Sequence, residues 1–262
     1  MTIRLPTSIV VLLAFSLCPL GATVASEKGP PQTTTEAQAW ELTLQGISRA
    51  NKGDFDPALA LFEKSLRLSN QYAPALFNRA KVYLLQGRLD RAAQDLDKAI
   101  KLEPRLAGAY LARAMVYRLQ GDFSRALKDM NRAIALDSTD TSALINRAAL
   151  YFDIGEQDQA LPDLDRIIQI NPRMIRALGN RAYIAEQLGR YDAAIKDLTD
   201  ILAQDPDNVM AMRHLGFIHR QKGEATKALR WFRAALKLET NGAGRKRLND
   251  EILELESRIK NK

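Results

Sequence analysis

Six glycines divide this chain at a single interval. Gly53, Gly87, Gly121, Gly155, Gly189 and Gly223 follow one another at steps of 34 residues, with no insertion or deletion. Self-similarity at a period of 20 to 50 residues marks a chain built from stacked supersecondary units. The neighbourhood of each glycine repeats as well. Five residues on stands an alanine (Ala58, Ala92, Ala126, Ala160, Ala194, Ala228). Nine residues on stands a large apolar residue (Phe62, Leu96, Met130, Leu164, Leu198, Phe232). Seven residues before stands a small one (Gly46, Ala80, Ala114, Ala148, Ala182, Gly216).

Each unit reads as two helices around a tight turn. One helix runs into the glycine, as over 75–86, and the other leaves it, as over 90–102. Glycine suits the turn because it accepts a positive φ. The small residue and the later alanine let the two helices approach, and the large apolar residue fills the space beside them. Pro104, Pro172 and Pro206 fall where the second helix should end.

Period, glycine, paired small residues and large apolar position together resemble the tetratricopeptide repeat family, over about 39–242. Ser65, Ile167 and Ile201 depart from the family's alanine, and Asn70, Ser138 and Thr240 from its closing proline. The resemblance implies an all-α, right-handed superhelical solenoid of six helix pairs, 39–72, 73–106, 107–140, 141–174, 175–208 and 209–242. The first helix of each pair would line a concave groove. One pair cannot bury its apolar face alone, so neighbours must stack and the ends need caps. Thr33 and Glu36 have the spacing of a capping box before the first helix. At the other end, 243–262 forms a capping helix, with Leu248, Ile252, Leu255 and Ile259 on one stripe and Trp231 packed beneath it.

The N-terminus reads as an address. Arg4 precedes an apolar run over 8–20, and small residues follow at 22–26, the three-part pattern of a secretory signal cut after Ala25. The run is short for a bilayer span, and membrane contact is expected only if the signal stays uncleaved. Residues 26–38 form a flexible lead-in and the start of the first helix. Cys18 is the chain's one cysteine, so the mature, exported form, periplasmic or secreted, has no thiol for a disulfide, a thiolate metal site or a nucleophile. The net charge is +7, with basic and acidic residues alternating along every segment. That alternation fits solvated helix faces and not a nucleic-acid footprint.

Two rows of polar residues recur with the period. Eight residues before the glycine the middle repeats carry Arg79, Arg113, Arg147 and Arg181. Eight residues after it they carry Asp95, Asp129, Asp163 and Asp197, whereas the outer repeats lack both. The joint presence predicts bidentate ion pairs, between the two helices or across adjacent repeats. An electropositive ligand-binding row is the alternative. The second row is Asn78, Asn146 and Asn180, nine residues before the glycine. The family places this position on the concave face, where some members use asparagine to hold a peptide backbone. An amide offers both a donor and an acceptor to a peptide unit. A hydrogen bond within the repeat is the other reading. Phe77, Met115, Phe152, Tyr183 and Phe217, with the cations Arg176 and Arg213, complete the predicted groove. It suits an extended or helical peptide of mixed apolar and acidic character.

His214 and His219 do not share a helix face, and no third metal ligand has a clear spacing to them. No phosphate loop, dinucleotide fingerprint or serine elbow is present. The sequence therefore points to a binding scaffold for protein or peptide partners, acting in envelope complex assembly or secretion, with no cofactor and no catalytic site. A self-associating structural module and an accessory subunit of an enzyme are the alternatives, and a monomer is favoured.

Overall fold

A computed structural model describes residues 33–260, and the expected signal at 1–25 lies outside them. The described residues are helical, without strands. They fall into two compact units, divided after Glu156.

The N-terminal unit holds α1 (Thr34–Asn51), α2 (Phe55–Leu68), α3 (Ala73–Leu85), α4 (Leu89–Leu102), α5 (Ala107–Leu119), α6 (Phe123–Leu136) and α7 (Thr141–Asp153). The C-terminal unit holds a short 3-10 turn (Gln157–Ala160), α8 (Leu161–Ile170), α9 (Ile175–Gln187), α10 (Tyr191–Gln204), α11 (Val209–Gln221), α12 (Ala225–Leu238) and α13 (Gly242–Lys260). Odd-numbered helices up to α11 are the first members of the pairs and even-numbered ones the second.

The periodic glycines make the turns. Gly87 has φ 71°, and the amide N–H of Arg88 donates back to the Tyr83 carbonyl at 2.8 Å, closing the end of α3. A side chain would be strained at that φ, so the position selects glycine. The period-34 alanines and large residues are the core: Ala92, Leu96, Ala126, Met130, Ala194 and Phe232 are among those fully buried. Second helices end at the same register whether or not proline follows: α4 and α10 stop before Pro104 and Pro206, and α2, α6 and α12 stop before Asn70, Ser138 and Thr240. Proline is therefore compatible with the stop and does not set it. The Ser65 departure is also accounted for, since its hydroxyl bonds Thr43 Oγ1 at 2.9 Å and donates to the Ala39 carbonyl at 2.8 Å, joining α2 to α1.

Both ends are closed. Thr33 Oγ1 accepts the Glu36 amide at 3.1 Å while the Glu36 carboxylate accepts the Thr33 amide at 3.3 Å, a complete capping box. On α13, Leu248, Ile252 and Leu255 are buried in one cluster with Phe232 and Ala228, and Trp231 packs against it. Ile259, expected on that stripe, is exposed, because it lies one turn beyond the last buried residue.

One element breaks the period. The other five second helices have 14 residues, whereas α8 has 10 and is preceded by the 3-10 turn. The cause is Pro162, which stands where the other pairs carry Ala60, Gln94, Lys128, Lys196 and Arg230. Proline has no N–H to donate one turn back, and its ring clashes with that carbonyl. Pro162→Ala is expected to fuse turn and helix, raising the far-UV helical signal by about one turn and stability by about 1 kcal/mol. An unchanged circular dichroism spectrum and melting temperature would show that something other than Pro162 sets the break.

Candidate peptide-binding face

The arginine row is tied down by acceptors. Arg79 Nε and Nη2 donate to the two carboxylate oxygens of Asp95 at 2.7 and 2.8 Å. Arg113 does the same to Asp129 at 2.7 and 2.9 Å, and Arg181 to Asp197 at 2.8 and 2.7 Å. The aspartates are buried on the second helices and the arginines are partly exposed on the first. Two of the forks also reach one repeat back: Arg113 Nη1 donates to Asp97 at 2.7 Å and Arg181 Nη1 to Asp165 at 2.6 Å. Arg147 Nη1 donates to Asn131 at the same register, at 2.6 Å. Asp163 is buried on α8, in the other unit from Arg147. The hydrogen bonds to Asp129 and Asp97, and to Asp197 and Asp165, hold the Arg113 and Arg181 guanidiniums even more firmly charged than usual. One arginine thus joins three helices, and the row serves register within and between repeats.

The asparagine row is buried rather than open: Asn78, Asn146 and Asn180 are each at most 4% exposed. Asn78 folds back on its own helix, with Nδ2 donating to the Pro74 carbonyl at 2.9 Å, which satisfies the donor locally. Its carbonyl oxygen is buried with no donor among the described residues. Phe77 and Met115 are likewise core. Phe77 reaches across to α5, where a Cβ on Gly108 would come within 3.1 Å of its ring. The apolar side chains that remain open on these helices are Leu85, 37% exposed, and Leu119, 51% exposed, at the same register on α3 and α5. They stand two residues before the glycine, where the other pairs carry Asn51, Asp153, Gln187 and Gln221. That contrast was the available signal for them. Phe152 on α7 is half-buried, and Arg118 of α5 pairs with Asp153 of α7 beside it.

In the C-terminal unit Arg176 is exposed, and Tyr183, Arg213 and Phe217 are half-buried. His214 takes the asparagine-row position on α11, and its Nδ1 lies 2.7 Å from Glu186 Oε2 of α9. Burial, then the nearby Glu186 charge, raises the Tyr183 phenol above its ordinary pKa.

Models of the tetratricopeptide repeat match residues 73–106, 107–140 and 157–213. The chain is a tetratricopeptide repeat protein. No curated protein matches it. Among solved structures, MamA is 27% identical, with a TM-score of 0.56 over 62% of this chain and 94% of that one. YrrB, described as a tetratricopeptide repeat protein with an unusual peptide-binding site, is 21% identical, with a TM-score of 0.64 over 72% of this chain and 97% of that one. PilF of Pseudomonas aeruginosa is 13% identical, with a TM-score of 0.69 over 84% of this chain and all of that one. At 21% and 13% identity the last two speak for the fold alone.

Tetratricopeptide repeats suggest protein or peptide partners, and their helices are typically scaffolds. Among the described residues no group of three or more His, Cys, Asp or Glu is placed to hold a metal ion, and no helix is long and apolar enough to cross a membrane. His219 serves the last repeat's turn: its Nδ1 lies 2.6 Å from Glu224 Oε2, and this bond, with a second from Lys227, holds the Glu224 carboxyl below the usual carboxylate range.

Proposed function

We propose that this chain is an exported scaffold that captures a peptide or protein segment on the first-helix face of its N-terminal unit, in the assembly of an envelope complex or in secretion. The observation that carries the reading is the pair Leu85 and Leu119. Large apolar side chains are exposed there at one register on neighbouring helices, where the other repeats are polar. Helices with an open apolar row take amphipathic or extended segments, whose anchors fill the row. The signal-like pattern over 1–25, a basic start followed by an apolar run and small residues, supports export.

A photoreactive benzoylphenylalanine at position 119 should crosslink a discrete partner in the native host, whereas the same group at exposed Lys101 on the second-helix side should not. Equal labelling from both positions would contradict the assigned face. Export predicts a mature chain that begins at Ser26 by mass spectrometry. A chain retaining residues 1–25 in the host would contradict cleavage.

A further inference from the structure

The first helices of the last two repeats carry different chemistry from those of the N-terminal unit. On α9, Arg176, Gly179 and Tyr183 lie at i, i+3 and i+7, a spacing that puts them on one helix face. On α11, Arg213 and Phe217 occupy the positions one repeat on from Gly179 and Tyr183. Two contacts join these helices: His214 bonds Glu186, and the Tyr183 and His214 rings meet edge to face with centroids 6.4 Å apart. A Cβ built on Gly179 would find only Ile201 Cδ1 within 4 Å, at 3.8 Å, so the face has a gap there.

The charges on this face are unevenly satisfied. Glu186 is engaged by His214. Arg220 pairs with Glu251 of α13 and lies over the Phe217 ring at 5.4 Å. Arg181, on the other side of α9, is held by Asp197 and Asp165. Arg176 and Arg213 are the first-helix arginines of this unit left without a carboxylate among the described residues, and they flank the Gly179 gap.

We propose that this face of α9 and α11 binds an acidic side chain of a partner's internal segment, its carboxylate held between Arg176 and Arg213 and a neighbouring apolar residue lying against Tyr183 or Phe217. A guanidinium matches a carboxylate in geometry and charge, and two of them around a side-chain gap select an aspartate or glutamate over a neutral residue. The proposal rests on the chain being a peptide-binding scaffold and adds the partner's chemistry at the last two repeats.

The test is selection of phage-displayed random 12-residue peptides on the purified chain, followed by fluorescence anisotropy with fluorescein-labelled, C-terminally amidated versions. Amidation removes the terminal carboxylate, so any acid dependence is that of a side chain. Selected peptides should be enriched in Asp or Glu. They should lose at least tenfold in affinity on Glu→Gln or Asp→Asn exchange and on Arg176→Ala with Arg213→Ala, and should weaken as salt rises. The chain carrying Arg176→Glu and Arg213→Glu should instead prefer peptides with lysine. Both arginines are partly exposed, and an unchanged melting temperature will separate lost binding from lost folding. Peptides without acidic enrichment that bind the arginine variants as well as the unaltered chain, yet fail on Leu85→Glu with Leu119→Glu, would overturn this inference and leave the proposed function standing. Peptides that bind only with a free C-terminal carboxylate would overturn the side-chain assignment. Failure to select any peptide would remove the proposed function, and this inference with it.

Discussion

Replacing Arg181 with leucine is expected to destabilise the protein by about 3 kcal/mol, the low end for breaking a buried ion pair because the guanidinium is partly exposed. The loss comes from what remains. Asp197 is almost wholly buried and takes two hydrogen bonds from Arg181, at 2.7 and 2.8 Å. Without them a carboxylate stays in the core with no cation. Arg181→Leu combined with Asp197→Leu should recover most of the loss, because removing both partners leaves no buried charge. The chain itself shows that an apolar version stacks. The last repeat has Leu215 and Trp231 at these two registers, in one apolar cluster. Urea unfolding midpoints for the two single variants and the double one would measure the coupling. Additive losses would mean that the pair does not act as a unit.

The second large effect concerns the outermost repeats. Gly46 and Gly216 replace the alanine of the middle repeats, and the same two repeats carry Phe62 and Phe232 where the others carry leucine or methionine. The exchange is steric. A Cβ on Gly216 would stand 2.4 Å from Phe232 Cε1, and one on Gly46 would stand 2.6 Å from Phe62 Cε1. Both phenylalanines are fully buried and cannot swing aside. Alanine favours the helix by about 1 kcal/mol, but overpacking a buried ring costs about 1–3 kcal/mol, so Gly216→Ala is expected to be net destabilising by about 1 kcal/mol. Adding Phe232→Leu recreates the pairing at Ala182 and Leu198, and the double variant should be more stable than Gly216→Ala alone. Thermal melts of the four proteins in this cycle test it. A Gly216→Ala variant as stable as the parent would show that the ring has room to move.

These two cases show what the sequence made legible. A position read against its five counterparts gave the turns, the alanines and the bidentate arginine–aspartate pairs, because each is fixed by backbone conformation or by close approach within one repeat. Asp97, Asn131 and Asp165 escaped it. They accept a further bond from Arg113, Arg147 and Arg181 of the next repeat, at a register that also holds Glu63, Thr199 and Arg233, so no residue type marks the role. Pro162 stands seven residues past Gly155, but proline is tolerated in a helix's first turn, and Pro57 sits inside the full-length α2, so residue type alone does not mark the break. The binding face was the least legible. Periodicity places Asn78 and Phe77 on a first helix without saying how deeply neighbouring helices bury them, and both belong largely to the packing. Leu85 and Leu119 stand out only as apolar residues at a register where the other repeats are polar.

We propose that this tetratricopeptide repeat protein holds its partner on the first-helix face of its N-terminal unit. Isothermal titration of the partner segment crosslinked from position 119 into the unaltered chain and into the Leu85→Glu, Leu119→Glu variant tests it. Both side chains are exposed, so the variant should keep its fold and melting temperature. Saturable binding to the unaltered chain and a loss of at least tenfold in the variant, about 1.4 kcal/mol or more, are expected. Equal affinity for both proteins would contradict it.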